Sequence, residues 1–249
     1  MIRVLVWNEY YHEKAEEAIA KVYPNGIHGA IADFLGKEED MVVKTATLED
    51  ENCGITKEIL DETDVLIWWG HMRHHKVPDE VAFLVRDAVL SGMGLICLHS
   101  AHHSKPFRYL LGTACHLTWR ESDDHEILWV IEPSHPITKG IDRYFELEAE
   151  ETYGEPFTIP TPDKLLLIGH FSGGEVFRSG CLYERGNGKI FYFQPGHESY
   201  PTFYQPPVQT IIKNAVRFLN PTYRETPMCP QVNKIADGGS YLKQAVSKY

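Results

Sequence analysis

The chain has 249 residues, of which 43% are hydrophobic and 24% charged, and its formal net charge is −11. This length and composition are those of an ordinary globular protein with one large domain or two small ones. The acidic balance disfavours binding to nucleic acid or to anionic membrane surfaces, and no apolar stretch reaches the roughly 18–20 residues of a membrane span.

Cysteine usage points to a reducing compartment. The cysteines are scattered without a CxxC pair, and the first residues, Met1–Trp7, resemble a strand more than a signal peptide. Dispersed thiols in such a chain indicate a cytoplasmic protein without disulfides. The five cysteines are Cys53, Cys97, Cys115, Cys181 and Cys229.

Strand-like and helix-like segments alternate through the first half. The predicted strands are Arg3–Trp7, Val42–Thr47, Asp64–Trp69 and Gly94–Leu98. The predicted helices are Glu13–Val22, Ile27–Leu35, Thr56–Asp61, Pro78–Leu90 and Lys105–Leu111. Strict alternation of this kind predicts a mostly parallel sheet covered by helices on both faces, the doubly wound α/β class.

The second half is richer in strands. The β-like segments are Glu126–Ile131, Lys164–Ile168, Glu175–Tyr183 and Lys189–Gln194. Gly186-Asn187-Gly188 predicts a hairpin between the last two, and Pro207–Leu219 predicts a closing helix. We therefore expect a single α/β domain over residues 1–249. It would have a β-rich insertion near residues 114–160 and an irregular tail at 221–249.

Three of the 13 histidines follow apolar, strand-like runs: His71, His99 and His197. In an open α/β sheet, ligands bind at the carboxyl ends of the strands. Imidazole is a common metal ligand and a general acid or base near neutral pH. The sequence therefore predicts that these side chains line one site.

The first histidine cluster is Gly70-His71-Met72-Arg73-His74-His75. Gly70 permits a sharp turn after the strand, and His71 and His74 have the spacing of a chelating pair on one helical turn. The competing interpretation is a polar loop of solvated imidazoles, which we prefer for His75.

The second cluster is His99-Ser100-Ala101-His102-His103. Small residues between bulky ones suit a tight strand-to-helix turn, the geometry of a nucleophile elbow. The Gly-x-Ser/Cys-x-Gly pattern of that elbow is missing, so a ligand or acid–base role for His99 is favoured over a nucleophilic Ser100.

His197 follows Gly196, which permits close approach of the backbone to a ligand, and precedes Glu198. Glu198 either orients an imidazole or points to solvent. His28 lies between glycines, in either a cramped functional loop or a helix start, and Glu9 and His12 are weaker candidates after the first strand.

Acidic and aromatic groups complete the candidate set. A charge run such as Glu148, Glu150 and Glu151 is usually a solvated face, although a carboxylate here could complete a histidine-rich site. Aromatic faces and a fork-shaped donor suit a carbohydrate, whereas an aromatic excess is also typical of a core. The candidate substrate-binding residues are Trp69, Trp119, Arg120 and Tyr153.

Taken together, these stretches resemble the ThuA-like family, named from bacterial trehalose utilisation, over about residues 2–220. The resemblance is carried by Val6-Trp7-Asn8-Glu9, Gly26-Ile27-His28-Gly29, Trp68-Trp69-Gly70-His71-Met72, Leu98-His99-Ser100-Ala101-His102, Trp119-Arg120-Glu121, His135-Pro136-Ile137, Glu150-Glu151-Thr152-Tyr153-Gly154 and Gln194-Pro195-Gly196-His197-Glu198.

The resemblance implies a flavodoxin-like fold, similar to class I glutamine amidotransferases. Those enzymes carry a cysteine at the elbow and a histidine near the end of the domain. Here His197-Glu198 stands where that histidine would be, but Leu98-His99-Ser100 contains no cysteine. The departure argues against glutaminase chemistry. The family's association with 3-keto-disaccharide catabolism implies a sugar-derived substrate.

The leading hypothesis is a cytoplasmic enzyme acting on an oxidised (keto) sugar or disaccharide such as a trehalose derivative. A divalent metal, zinc or else manganese, would act as a Lewis acid. Its predicted ligands are drawn from His28, His71, His99 and His197. The predicted catalytic residues are His99, His102, Glu151 and His197, with Glu151 or His102 moving the proton.

Two alternatives remain open at this level. In the first, no metal is bound, and His99 and His197 form an acid–base pair of an isomerase or hydrolase. In the second, the protein is a sugar-binding module without catalysis. A homo-oligomer is compatible with the sequence and not required by it.

Overall fold

A computed structural model of the chain describes residues 1–229, which form one mixed sheet of nine strands in the order β2-β1-β3-β4-β9-β8-β7-β5-β6. The strands are β1 (Ile2–Asn8), β2 (Met41–Thr47), β3 (Val65–Trp69), β4 (Gly94–Leu98), β5 (Thr118–Val130), β6 (Tyr144–Gly154), β7 (Lys164–Phe171), β8 (Val176–Arg185) and β9 (Gly188–Phe193).

One half of the sheet is parallel and has five strands. Four of them, β1 to β4, come from the first half of the chain, and β9 joins them by pairing with β4. Every residue of β3 and β4 is buried, as expected for central parallel strands with helices on both faces. The helices are α1 (His12–Ala15), α2 (Glu17–Val22), α3 (Gly26–Leu35), α4 (Lys57–Asp61), α5 (Asp79–Leu90), α6 (Lys105–Leu111) and α7 (Pro206–Leu219).

These elements confirm the mixed α/β class and the parallel first half. The predicted helix Glu13–Val22 is divided, because Glu16 adopts an extended backbone with φ −127° and ψ 114° between α1 and α2. The hairpin at Gly186-Asn187 is present, with Arg185 paired to Gly188. Gly186 has φ +57°, which its turn requires and glycine tolerates.

The β-rich part, predicted as an insertion near residues 114–160, belongs to the same nine-stranded sheet and extends beyond residue 160. Strands β5 to β8 continue the same sheet in antiparallel pairing as far as Arg185, and β6 forms its outer edge. The register between β5 and β6 shifts on both sides of the Asp124–Glu150 pair. Bulges of this kind re-aim side chains, so this part of β6 presents its carboxylates differently from a regular strand.

The core has two layers, one on each face of the sheet. On one face, Trp7 and Trp68 stack with ring centroids 3.9 Å apart, and Trp7 donates its ring N–H to the carbonyl of Cys53 at 2.9 Å. On the other, α3 and α7 cover the sheet with residues such as Ile31 and Ile211. The rigid packing beneath β1, β3, β4 and β9 fixes where these strands end.

Those four strand ends lie along one edge of the sheet because the strands are parallel and in register. Each is followed by a segment that carries polar groups into the same region: Glu9 after β1, His71 after β3, His99 after β4 and His197 after β9.

The described part of the predicted tail, residues 221–229, contains no helix or strand. Arg224 donates to the carbonyls of Leu60 and Thr63 at 2.9 and 2.7 Å, and this anchors the segment beside the end of α4. The rest of the predicted tail, residues 230–249, lies outside the described residues. Within residues 1–229, no helix combines the length and apolarity that a membrane crossing requires.

Candidate active site

Three histidine rings from three different loops meet at the carboxyl edge of the sheet. The ring centroids of His71 and His197 are 5.4 Å apart, those of His99 and His197 5.4 Å, and those of His71 and His99 5.9 Å. The structure thus brings together the three histidines that follow apolar runs in the sequence.

His99 occupies an elbow between β4 and the following turn. Its φ is +52°, a conformation that residues other than glycine seldom adopt, and its side chain is fully buried. Nδ1 donates to the carbonyl of Gln194 at 2.9 Å. Nε2 lies 2.9 Å from Oε2 of Glu151 and 3.2 Å from the hydroxyl of Tyr153. Both ring nitrogens are engaged by the protein, so the expectation of His99 as a metal ligand does not fit this arrangement.

His99 and Glu151 form a buried, charge-coupled pair. Burial lowers the pKa of His99, but the contact and charge of Glu151, together with Glu150 and Glu198, outweigh burial and raise it above 6.5. Burial raises the pKa of Glu151, but His99 outweighs it and holds that pKa below 4.5. Both directions favour an imidazolium–carboxylate pair.

His71 is oriented from both its side chain and its main chain. Its Nδ1 lies 2.8 Å from Oε1 of Glu198, a buried carboxylate. The carboxylate of Glu9 accepts the main-chain N–H of His71 at 2.9 Å, of Met72 at 3.0 Å and of Arg73 at 2.8 Å. A carboxylate on one ring nitrogen fixes the tautomer of a histidine and leaves the other nitrogen available.

His197 is held by its main chain and by a weak ring contact. Its Nδ1 accepts the N–H of Ser199 at 3.2 Å, and its buried Nε2 has no hydrogen-bond partner among residues 1–229. Glu150 accepts the main-chain N–H of His197 at 3.1 Å. Burial lowers the pKa of His197 to about 4, so the ring is neutral near pH 7.

Glu198 faces the interior and not solvent, which decides between the two orientations open from the sequence. Besides His71, its carboxylate lies 3.5 Å from Nδ1 of His12 and 3.8 Å from Nε2 of His197. Burial raises its pKa, but the contact with His71 and the nearby histidines outweigh burial and lower it to about 2. Glu198 is therefore a permanent negative charge behind His71.

Two groups of side chains have the spacing of a metal site. Ligand atoms of His71, Glu151 and His197 lie within 4.8 Å of one another, and so do those of His71, His12 and Glu198. The first is a two-histidine, one-carboxylate set, as in catalytic zinc sites with an open position. Among residues 1–229, buried Nε2 of His197 has no hydrogen-bond partner, whereas buried Oε2 of Glu151 has the ion-pair contact with His99. An imidazole nitrogen without a partner, beside a carboxylate oxygen, fits a cation.

His28 and His74 are not brought to this centre. Nδ1 of His28 lies 2.9 Å from the amide nitrogen of Asn8, and among the described residues His28 belongs to neither group. His74 packs its ring against His103 at 6.2 Å, and burial lowers its pKa to about 3. The helical chelating pair predicted for His71 and His74 is absent from residues 1–229, because His74 lies in a short 3₁₀ turn and belongs to neither group.

A cleft of about 470 Å³ opens beside the histidines. On its wall, buried His102 donates from Nδ1 to the carbonyl of Cys115 at 2.7 Å, which leaves Nε2 as an acceptor. Burial lowers the pKa of His102 well below 6.5, so this acceptor is unprotonated near neutral pH. The lining is His71, Met72, Ser100, His102, His103, His116, Leu117, Trp119, Glu121, Glu151 and Tyr153.

Two of the four candidate substrate-binding residues line the cleft and two do not. Trp119 is 64% exposed and lines the cleft, and the hydroxyl of buried Tyr153 lies 2.7 Å from Ser100 at its floor. Trp69 is fully buried and donates its ring N–H to the carbonyl of Gly196 at 2.9 Å, so it supports the loop and does not meet a ligand. Arg120 is held by two hydrogen bonds to Glu175 and is absent from the cleft wall.

The sequence did not identify the carboxylates that hold the histidine loops. Glu9 was a weak candidate, and Glu150 belonged to a charge run that reads as a solvated face, yet both are buried. The available signal was that Glu9 directly follows a buried strand. For Glu150 the only signal was the break in strand alternation at Glu150-Glu151.

The chain matches one known family over most of its length. The model of the family named ThuA, described as trehalose utilisation, matches residues 3–219. No match was found among curated proteins.

Solved structures similar to this chain include two proteins described as ThuA-like. One, from Parabacteroides merdae, is 14% identical with a TM-score of 0.63, and the match covers 92% of this chain and 93% of that one. The other, from Bacteroides uniformis, is 17% identical with a TM-score of 0.62 and coverages of 88% and 91%. A Salmonella typhimurium protein described as cytoplasmic is 12% identical with a TM-score of 0.59, covering 89% and 100%. At these identities the likeness shows the fold alone.

Proposed function

Because the chain belongs to the ThuA family, described as trehalose utilisation, we propose that it is an enzyme acting on an oxidised (keto) sugar or disaccharide such as a trehalose derivative. The observation that carries the proposal is the cleft lined by exposed Trp119 together with His71 and Glu151, which form a group with His197. A binding surface and a set of reactive groups share one opening there.

The cleft suits a sugar ring. Trp119, 64% exposed, offers an aromatic face, and Met72, 59% exposed, adds an apolar edge. His103 and His116 on the same wall lie 3.2 Å apart, Nε2 to Nδ1. Burial lowers the pKa of His103 to about 4, so its imidazole is neutral near pH 7 and both donates and accepts hydrogen bonds. An aromatic face and a neutral imidazole in the same cleft match the apolar and polar faces of a sugar.

A divalent metal, zinc in the first instance, fits His71, Glu151 and His197 in donor type and spacing. When bound there, it would supply Lewis-acid polarisation of a sugar carbonyl or hydroxyl. Glu198 holds Nδ1 of His71 and so leaves the other nitrogen of that ring for a ligand. Ligation through Nε2 of His197 requires its proton to shift to Nδ1, at the expense of the 3.2 Å contact with Ser199.

His102 is the proton acceptor in this proposal. Its Nδ1–H is fixed on the carbonyl of Cys115, and burial keeps Nε2 free of a proton. A neutral imidazole on the cleft wall removes a proton from a carbon or oxygen acid of the bound sugar. His99 is fully buried and paired with Glu151, so it orients that carboxylate and does not move the proton.

A metal-free reaction is the second candidate, and one observation favours it. Because Nδ1 of His197 accepts the N–H of Ser199, the neutral ring carries its proton on Nε2, which has no acceptor among residues 1–229. A substrate oxygen would satisfy that donor. His197 would then act as the acid and His102 as the base of an isomerase or hydrolase.

Turnover of 3-keto-trehalose, followed by NMR, tests the proposal. His102→Gln should lower kcat by about 10²- to 10⁴-fold, whereas His75→Gln, an exposed neighbour of the first loop, should leave it unchanged. Loss of activity on chelation and its return with Zn²⁺ supports the metal reading, and activity that survives chelation supports the second candidate. Binding without turnover for every keto-sugar tested would instead indicate a sugar-binding module and contradict the enzyme.

The same proposal includes three finer statements. The order β2-β1-β3-β4-β9 of the parallel strands supports a flavodoxin-like description of that half. A cytoplasmic location and a homo-oligomeric state remain predictions, and a size measurement in solution would decide the second.

A further inference from the structure

Two buried carboxylates outside the reacting set each accept the main-chain N–H of a candidate ligand histidine. Glu9, 2% exposed, does so for His71 at 2.9 Å, and Glu150, fully buried, does so for His197 at 3.1 Å. Neither side chain belongs to the candidate metal groups or to the cleft wall. The proposed function assigns Glu9 and Glu150 neither proton transfer nor metal binding.

Glu9 fixes the loop after β3 through three consecutive main-chain donors. Oε2 accepts the N–H of His71 and of Arg73, and Oε1 accepts that of Met72. A side chain on Gly70 would begin 3.5 Å from Oε2, in van der Waals contact with the carboxylate. The carboxylate that follows β1 thus dictates the course of the chain that carries His71.

Glu150 does the same for the loop after β9. Oε1 accepts the N–H of His197 and of Glu151, and Oε2 accepts the N–H of Gly196 at 2.9 Å and the hydroxyl of Thr202 at 2.9 Å. Each oxygen accepts two donors, so the carboxyl group of Glu150 accepts four hydrogen bonds from the protein.

A carboxylate is costly to bury, so a neutral side chain would be expected at Glu9 and Glu150 if these positions only filled space. Hydrogen bonds to a carboxylate are shorter and about twice as strong as neutral ones, and they hold a loop more rigidly. Glu150 is also adjacent to Glu151 on β6. One short piece of the antiparallel half therefore sets the position of Glu151 directly and of His197 through its main chain.

We propose that Glu9 and Glu150 are positioning residues that fix His71 and His197, through main-chain hydrogen bonds, at the spacing at which both face Glu151. This inference rests on the proposed function in one respect, that His71, His197 and Glu151 hold a metal. The hydrogen bonds of Glu9 and Glu150 are independent of it, because they are formed without a metal.

Cobalt(II) titration of the metal-freed protein, followed by visible absorption, tests the consequence for binding. Glu9→Gln and Glu150→Gln should each weaken Co²⁺ binding by about 10- to 100-fold, as outer groups around metal ligands do. Glu148→Gln removes an exposed carboxylate from the same strand as Glu150 and is the matched control. Its affinity for Co²⁺ should stay within about twofold of the wild type. Unchanged affinity in both buried variants overturns the proposal.

Amide proton shifts of the metal-free protein test the hydrogen bonds independently. The amide of His71 should move upfield in Glu9→Gln only, and those of Gly196 and His197 in Glu150→Gln only. A merely structural role would instead spread small changes over both loops, and that result would overturn the proposal. If the wild type binds no cobalt, the metal reading fails, whereas this arm still decides the positioning claim.

Milder variants cover the case in which the glutamines do not fold. Thr202→Val removes one donor to Glu150 and keeps the charge, and Glu9→Asp keeps the charge but shortens its reach. Each should show the same loop-specific amide shifts with a smaller loss of affinity. Shifts in the wrong loop, or none, count against the proposal.

Discussion

Replacement of Glu151 by glutamine is expected to destabilise the protein far more than an ordinary polar substitution. Glu151 is 2% exposed, and its Oε2 lies 2.9 Å from Nε2 of fully buried His99. Glutamine keeps the shape and removes the charge. The imidazolium of His99 would then be buried without its partner.

The magnitude follows from that stranded charge. Removal of one partner of a buried ion pair costs about 3–5 kcal/mol, because the desolvation of the other charge is no longer offset. Glu150 and Glu198 also act on His99 and soften the loss, so we expect a value near about 3 kcal/mol. Glu148→Gln, on the exposed face of β6, should change the free energy of unfolding by less than about 0.5 kcal/mol.

A double-mutant cycle measures the pair. The free energies of unfolding of the wild type, Glu151→Gln, His99→Gln and the double variant are determined by urea denaturation in the presence of a chelator. The double variant should lose at least about 1 kcal/mol less than the sum of the single losses. Additive losses, or a cost below about 1 kcal/mol for Glu151→Gln, would refute the coupled pair.

The pH dependence of the same difference has a definite sign. The pKa of His99 is raised, so its contribution is complete below 6.5 and is lost as the pH rises through the folded value. The pKa of Glu151 is lowered, so its contribution is complete above 4.5 and is lost as the pH falls through the folded value. The difference in the free energy of unfolding between the wild type and Glu151→Gln should therefore be largest between pH 4.5 and 6.5.

Two further predictions concern buried His74 and the cleft residue Trp119. Burial lowers the pKa of His74 from 6.5 to about 3, so protonation opposes folding and stability should fall as the pH drops from 6.5 towards 3. His74→Asn should flatten this fall in urea titrations at several pH values, His75→Asn should not, and equal slopes in both would contradict the assignment. Trp119→Ala should weaken binding of a keto-disaccharide about tenfold, or about 1.4 kcal/mol, with little change in melting temperature, by fluorescence or calorimetric titration. Trp129→Ala, on the same strand but away from the cleft, is the control, and equal losses in both variants would remove Trp119 from the site.

The parts of the site that follow from strand order could be predicted from the sequence. His71, His99 and His197 each come directly after a buried strand, and parallel strands in register end at one edge of the sheet. The alternation of apolar runs with helical segments is enough to indicate this. The same logic gave the mixed α/β class and the helices on both faces.

The contacts between distant segments could not be predicted in this way. Glu9 meets main-chain donors 62–64 residues away, and Glu150 meets His197 47 residues away, with no local pattern to signal either. Glu150 and Glu151 are adjacent and both buried because the end of β6, residues 150–154, is covered on both faces, whereas a strand with one solvated face would expose one of them. The sequence also cannot tell that both ring nitrogens of His99 are occupied, which removes it from the ligand set.

Anomalous diffraction at the zinc edge, on crystals of the purified protein, tests the central claim most directly. We expect one metal ion held by His71, Glu151 and His197, with His28 and His99 outside its coordination sphere. Metal content should be lost in His197→Ala and kept in His28→Ala. A metal-free protein that still turns over its sugar, or an ion bound elsewhere with these three side chains unengaged, would contradict the account.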